Sequence, residues 1–202
     1  DLSTTDMAAT LWGWNFGFDF SSSGYRLHAS HQQIHQQYAM IPDQIERFLG
    51  STKRTFYQPY SSGDMIEEVI TTYKEAYKSS FFNDYLRALK TNVRMDGRAD
   101  LSSSLVVWQD DQAVLFVPKA QTSQWELQLM TKPDNHGAFP GSLVETTTQA
   151  RRSLDLGILM AQKALAGRGA SMVTTIEYSK RFSSTLTDQP LIYCFLPKLP
   201  QS

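Results

Sequence analysis

The sequence predicts an α+β fold, antiparallel sheets with helices packed against them, and three patterns carry that prediction. Across residues 64–90 the apolar side chains Met65, Val69, Tyr73, Tyr77, Phe81, Tyr85 and Leu89 recur at three- and four-residue spacing, the stripe of one helix, continuous or broken once. Residues 105–108 and 113–117 flank Gln109-Asp110-Asp111-Gln112, which reads as a hairpin turn, and 125–130 alternates as a third strand. Residues 142–166 repeat the helical stripe and stop at Gly167-Arg168-Gly169, where glycine accepts a left-handed cap; 172–178 and 191–196 then return as strands.

The N-terminal part reads differently. Thr5-Asp6 supplies a side-chain cap for a short helix through Trp12. Residues 15–20 alternate aromatic with small or polar side chains, Ser21-Ser22-Ser23-Gly24 makes a turn, and 25–41 form a strand stopped by Pro42. The expected organisation is a strand-bearing segment over 1–60, a helical connection over 61–100 and a sheet-plus-helix segment over 101–202.

With 202 residues, 41% of them hydrophobic, the chain can bury a core. A formal net charge of -1, with Lys53-Arg54 as the densest basic cluster, argues against nucleic acid as a partner. No apolar run approaches the roughly 20 residues a membrane helix needs, and the start Asp1-Leu2-Ser3-Thr4 lacks the features of a signal peptide, so a cytoplasmic protein without membrane contact is expected. The single cysteine, Cys194, has no intrachain partner, and CxxC and HExxH spacings are absent; neither a metal nor a cofactor is expected. The absence of an initiator Met suggests a piece of a longer polypeptide.

Chemistry concentrates in His28-Ala29-Ser30-His31-Gln32-Gln33-Ile34-His35-Gln36-Gln37. On an extended backbone His31, Gln33, His35 and Gln37 project to one side, and Ile34 and Tyr38 to the other. A neutral imidazole on such a row can attack phosphorus and form a phosphoramidate, while flanking amides hold the ring and donate to phosphate oxygens. The competing reading is a polar network that only links neighbouring strands. His31 is the alternative nucleophile. Arg26 and the serine-rich turn could contact phosphate, or be an edge arginine and a plain linker. Trp12, Trp14, Phe16, Phe18 and Phe20 read as core before they read as base-stacking surfaces. His28 reads as a loop residue, His136 as a turn residue, and Glu126, Lys132 and the charges over 67–78 as solvated faces or ion pairs.

Ala29-Ser30 followed by His35 and Gln37 resembles the Ala-Ser-x-x-His-x-His-x-Gln motif of the galactose-1-phosphate uridylyltransferase branch of the histidine-triad superfamily, which includes diadenosine polyphosphate phosphorylases. Asn15-Phe16-Gly17 resembles the Asn-x-Gly strand that precedes the motif there. Ala113 to Pro118 followed by Trp125-Glu126-Leu127, and Phe195-Leu196-Pro197, resemble the start and end of that family's second repeat. The resemblance implies two histidine-triad-like pseudo-repeats, the first incomplete and completed by a preceding segment or a second chain. It implies transfer of a nucleotide from a nucleoside diphosphate sugar or dinucleoside polyphosphate, with His35 as nucleophile, Gln37 as its support, and Arg26, Ser30, His31 and Gln33 around the substrate. The chain departs from the pattern at Gln33, where the family has histidine. Ile192 and Cys194 stand where the family often has two more. Those departures remove the family's metal ligands and open the alternative of a binding or scaffold module with weakened catalysis.

Overall fold

Alternation governs the start of the chain more strongly than its capping residues do. In the computed structural model, which describes residues 6–17, 35–49 and 53–198, β1 spans Met7–Gly17, so the expected short helix through Trp12 is not formed. The two-residue rhythm of Thr10, Trp12 and Trp14 suits a pleated surface, and β1 finds ladder partners on both sides. The strand expected over 25–41 is β2, His35–Pro42, within the described residues. A hairpin that the sequence reading missed follows, β3 (Ile45–Leu49) paired with β4 (Lys53–Tyr57).

The helical stripe over 64–90 is broken once. α1 (Ser62–Tyr77) begins at a capping box in which the Ser61 hydroxyl accepts from Gly63 and Asp64 reaches back to the Ser61 amide; it ends at Lys78 in the left-handed region. α2 is Phe81–Lys90. Asp64 also accepts from Arg181 Nε at 2.6 Å and Nη2 at 2.7 Å. Burial pushes the Asp64 carboxyl up, but the Arg181 and Ser61 hydrogen bonds outweigh it and hold the group below its ordinary value. A Cβ on Gly63 would stand 1.9 Å from the Ser179 carbonyl oxygen, so only glycine lets the start of α1 dock against this chain.

β5 (Val106–Gln109) and β6 (Ala113–Phe116) form the expected hairpin, its turn closed by the Asp110 carboxylate accepting from the amides of Gln112 and Ala113. β7 (Leu127–Thr131) starts two residues later than expected because Trp125 has φ 61°, incompatible with extended chain, where its ring meets the Arg168 guanidinium. α3 (Thr148–Gly167) also starts late: the capping side chain is Thr147, accepting from Ala150 N, and 142–146 form turns. Gly169, at φ 85°, turns the chain after it. β8 (Met172–Tyr178) and β9 (Ile192–Lys198) complete the set.

Seven strands make one antiparallel sheet in the order β2-β1-β8-β9-β7-β6-β5, so β1 and β2 join the strands of the second segment through β1–β8. Alternation gives this sheet two faces. Leu115, Leu127, Leu129, Tyr193 and Phe195 point to the face covered by Leu154, Ala161 and Leu165 of α3. Val114, Phe116, Met130, Ile192 and Cys194 point to the other, where Ile70 of α1 and Phe82 and Leu89 of α2 cover them. Each fully buried Leu or Phe contributes roughly 1.5–3 kcal/mol. Among the described residues no helix is long and apolar enough to cross a membrane.

Candidate functional site

The second helical layer covers β6, β7 and β9, whereas among the described residues β2 is the sheet's edge and its residues 36–40 are exposed. Register fixes which side chains meet there. Asn15 stands opposite His35 and Thr174, and Gly13 opposite Gln37 and Ile176, so all six lie on one face, the same face that carries Cys194 and Ile192 further along. Trp12, Trp14, Tyr38 and Glu177 lie on the opposite face. A concavity of about 700 Å³ runs along this end and is lined by Gly13, Asn15, His35, Gln37, Thr174 and Ile176, with their neighbours on these strands. Gly13 adds no side chain, so main chain is exposed in the middle of the row.

Of the residues the sequence singled out, His35 and Gln37 lie together on this concavity, His35 half-buried and Gln37 exposed. Among the described residues no side chain hydrogen-bonds the His35 imidazole or the Gln37 amide. Arg26, His28, Ser30, His31 and Gln33 lie outside the described residues, as do Phe18, Phe20 and the serine-rich turn. Trp12 is core, stacked on Trp14 at 6.0 Å between ring centroids and met edge-on by Tyr193 at 5.3 Å. His136 sits in a turn closed by Asp134, as its neighbour Gly137 suggests. Among the described residues no three His, Cys, Asp or Glu side chains converge as a metal site.

Two acidic residues were misread or missed in sequence. Glu126, expected on a solvated face, is 2% exposed and accepts from Thr122 and Gln128, while Lys132 bonds the Asp110 carbonyl instead. Alternation with Gln128 on β7 was its only signal. Glu177 is wholly buried on the α3 face and takes the Thr10 hydroxyl at 2.6 Å. Burial pushes its carboxyl above the ordinary value, against the opposing pull of the Thr10 and Tyr193 hydroxyls. Cys194, beside Glu126 and Gln128, is pushed up to about 12 by burial and by the Glu126 charge, so its thiol stays neutral.

This sheet order, with its histidine-bearing edge strand, has counterparts among known structures. The fold is shared with uridylyltransferases. A uridylyltransferase structure superimposes with a TM-score of 0.59 over 98% of this chain at 12% identity, and that of a uridylyltransferase mutant with 0.57 over 95% at 11% identity. The chain spans about half the length of each, 51% in both cases. At such identity the likeness is one of fold. No protein-family model and no curated protein matches the sequence.

Proposed function

We propose that this chain carries a nucleotidyl-transfer site of the histidine-triad type, acting on a nucleoside diphosphate sugar or dinucleoside polyphosphate. The observation that carries the reading is His35 on the open concavity of an edge strand, with Gln37 beside it and Asn15 and Thr174 opposite, in a uridylyltransferase-like fold. A lone-pair nitrogen of His35 attacks the α-phosphorus as the bond to the departing phosphate oxygen breaks, giving a nucleotidyl-histidine and a free sugar phosphate or nucleotide. An acceptor phosphate oxygen then attacks that phosphorus, the P–N bond breaks, and His35 is regenerated. Gln37 donates to the phosphate or to the ring, and Arg26, Ser30, His31 and Gln33 surround the transferred group. In this reading residues 1–60 and 101–202 are two pseudo-repeats joined by 61–100. Edge strand β2 of the seven-stranded sheet is where a strand from a further segment or a second chain would add to it.

The test is an acid-quenched trap with radiolabelled nucleoside diphosphate sugars and dinucleotides. Wild type is expected to retain label, and His35→Asn to lose it with an unchanged fold. Label that survives His35→Asn and disappears in His31→Asn moves the nucleophile to the other register. One observation favours a second reading, a nucleotide-binding or scaffold module without turnover: Ile192 and Cys194 are buried, uncharged side chains where the family often has two histidines. Reversible nucleotide binding with no adduct in any substrate would establish that alternative.

A further inference from the structure

The face that is open at β1 and β2 is roofed at β7 and β9 by α1 and α2, and under that roof lies a second cavity. Its volume of about 390 Å³ is in the range of small-molecule sites. Ile66, Val69, Phe81, Phe82 and Tyr85 of the two helices wall it on one side, and Ile192 and Leu196 of β9 on the other. Into this apolar space the residue before β7 contributes a carboxylate, Glu126, only 2% exposed.

The partners of that carboxylate are all neutral. Glu126 Oε2 accepts from the Thr122 amide at 2.6 Å and the Thr122 hydroxyl at 2.8 Å, and Oε1 accepts from the Gln128 side-chain amide at 2.9 Å. A carboxylate offers about four acceptor positions, so Oε1 has one to spare. Among the described residues no cation lies within ion-pairing distance of it. Lys119, at the rim, directs its ammonium to Asn92 Oδ1 at 2.8 Å. A buried carboxylate without a counter-charge is costly, and a cation entering the adjoining cavity would relieve that cost.

We propose that this cavity binds a small apolar amine, its ammonium on Glu126 Oε1 and its hydrocarbon or aromatic body among Phe81, Phe82 and Tyr85. The aromatic walls suit a cation as well as an apolar body. The neutral Cys194 thiol and Ile192 in the floor add no competing charge. The site is separate from His35 and stands whether or not that histidine is a nucleophile.

The experiment titrates the full chain with 2-phenylethylamine, 2-phenylethanol and 3-phenylpropionate, read by calorimetry and by thermal shift. The amine binds saturably at one site and raises Tm; the alcohol binds about tenfold more weakly, as for one lost charge-assisted bond, and the propionate not at all. Glu126→Gln keeps an acceptor for Thr122 and lowers amine affinity about tenfold without changing the alcohol. Val69→Trp, on the half-exposed side of α1, fills the mouth and blocks the amine with Glu126 intact, which separates loss of the site from loss of the fold. Equal binding of the propionate, unchanged amine affinity in Glu126→Gln, or no saturable binding of the amine up to millimolar concentration overturns the proposal.

Discussion

One face of a single sheet is used in two ways. Toward β6, β7 and β9 it is covered, and Val114, Phe116, Met130 and Ile192 pack against Ile70, Phe82 and Leu89 from α1 and α2. Toward β1 and β2 nothing in that helical layer covers it, and the same row of positions carries Asn15, His35, Gln37 and Thr174. The cause is length: α1 and α2, sixteen and ten residues, roof only part of a seven-stranded sheet. On this face, buried apolar packing is thus concentrated at one end. At the other, polar side chains stay accessible on a backbone held by pairing in the ladder β2-β1-β8.

If that division holds, substitutions in the covered half should cost stability and those in the open half should cost chemistry. Phe82→Ala tests the first half most severely. It removes a side chain that is 5% exposed and touches Phe81 edge-on and Phe139, so a loss of about 3–5 kcal/mol is expected in urea unfolding. A cost under about 1 kcal/mol would mean that the roof is not a stabilising layer. Gly157→Ala probes the α3 face. The added Cβ would stand 2.5 Å from Leu129 Cδ1, and Leu129 is fully buried, so overpacking of about 1–3 kcal/mol follows.

The covered half was the more legible in sequence, for a physical reason. Helical stripes such as Phe81, Tyr85 and Leu89, the apolar run of β6 and the period-two burial of β8 are produced by burial itself, so hydrophobic pattern and structure agree. The N-terminal segment misled because Thr5-Asp6 is a valid cap considered alone, while the partners that make 7–17 a strand lie far away in β2 and β8. The β3–β4 hairpin lacked a signal because its described side chains are mostly exposed and its sequence carries no apolar rhythm. The shared face of His35 and Gln37 followed from period two. Their juxtaposition with Thr174, almost 140 residues away, was beyond any local pattern. Glu126 and Glu177 were illegible for the same reason, since only tertiary packing buries them.

Glu177 gives the comparison a pH axis. Its carboxyl is raised above the ordinary value by burial, so the folded chain binds that proton more tightly than the unfolded chain. The associated stability is complete below the unfolded value of about 4.3 and is lost as pH rises through the raised folded value. Glu177→Gln cannot ionise and still accepts from Thr10. Its Tm should therefore gain on wild type progressively from pH 4 to 7. Parallel melting curves across that range would show that Glu177 does not titrate differently in the two states.

The smallest stability effect is expected at the open end, and it is the most discriminating. Gln37 is exposed, on an edge strand, without a side-chain hydrogen bond to a described residue. Truncation to Ala removes no buried surface and leaves the backbone pairing with Gly13 intact, so unfolding free energy should change by no more than about 0.5 kcal/mol. If the amide supports phosphate or the His35 ring during transfer, the same variant should lower the rate of adduct formation by about tenfold to a hundredfold, the worth of one charge-assisted hydrogen bond made in the transition state. Gln37→Glu sharpens this, because a carboxylate can still accept from an imidazole but repels phosphate, so it should be worse than Ala. An adduct rate that is equal in wild type, Gln37→Ala and Gln37→Glu would separate His35 from its neighbour. It would leave the open face with a histidine but no built phosphate site.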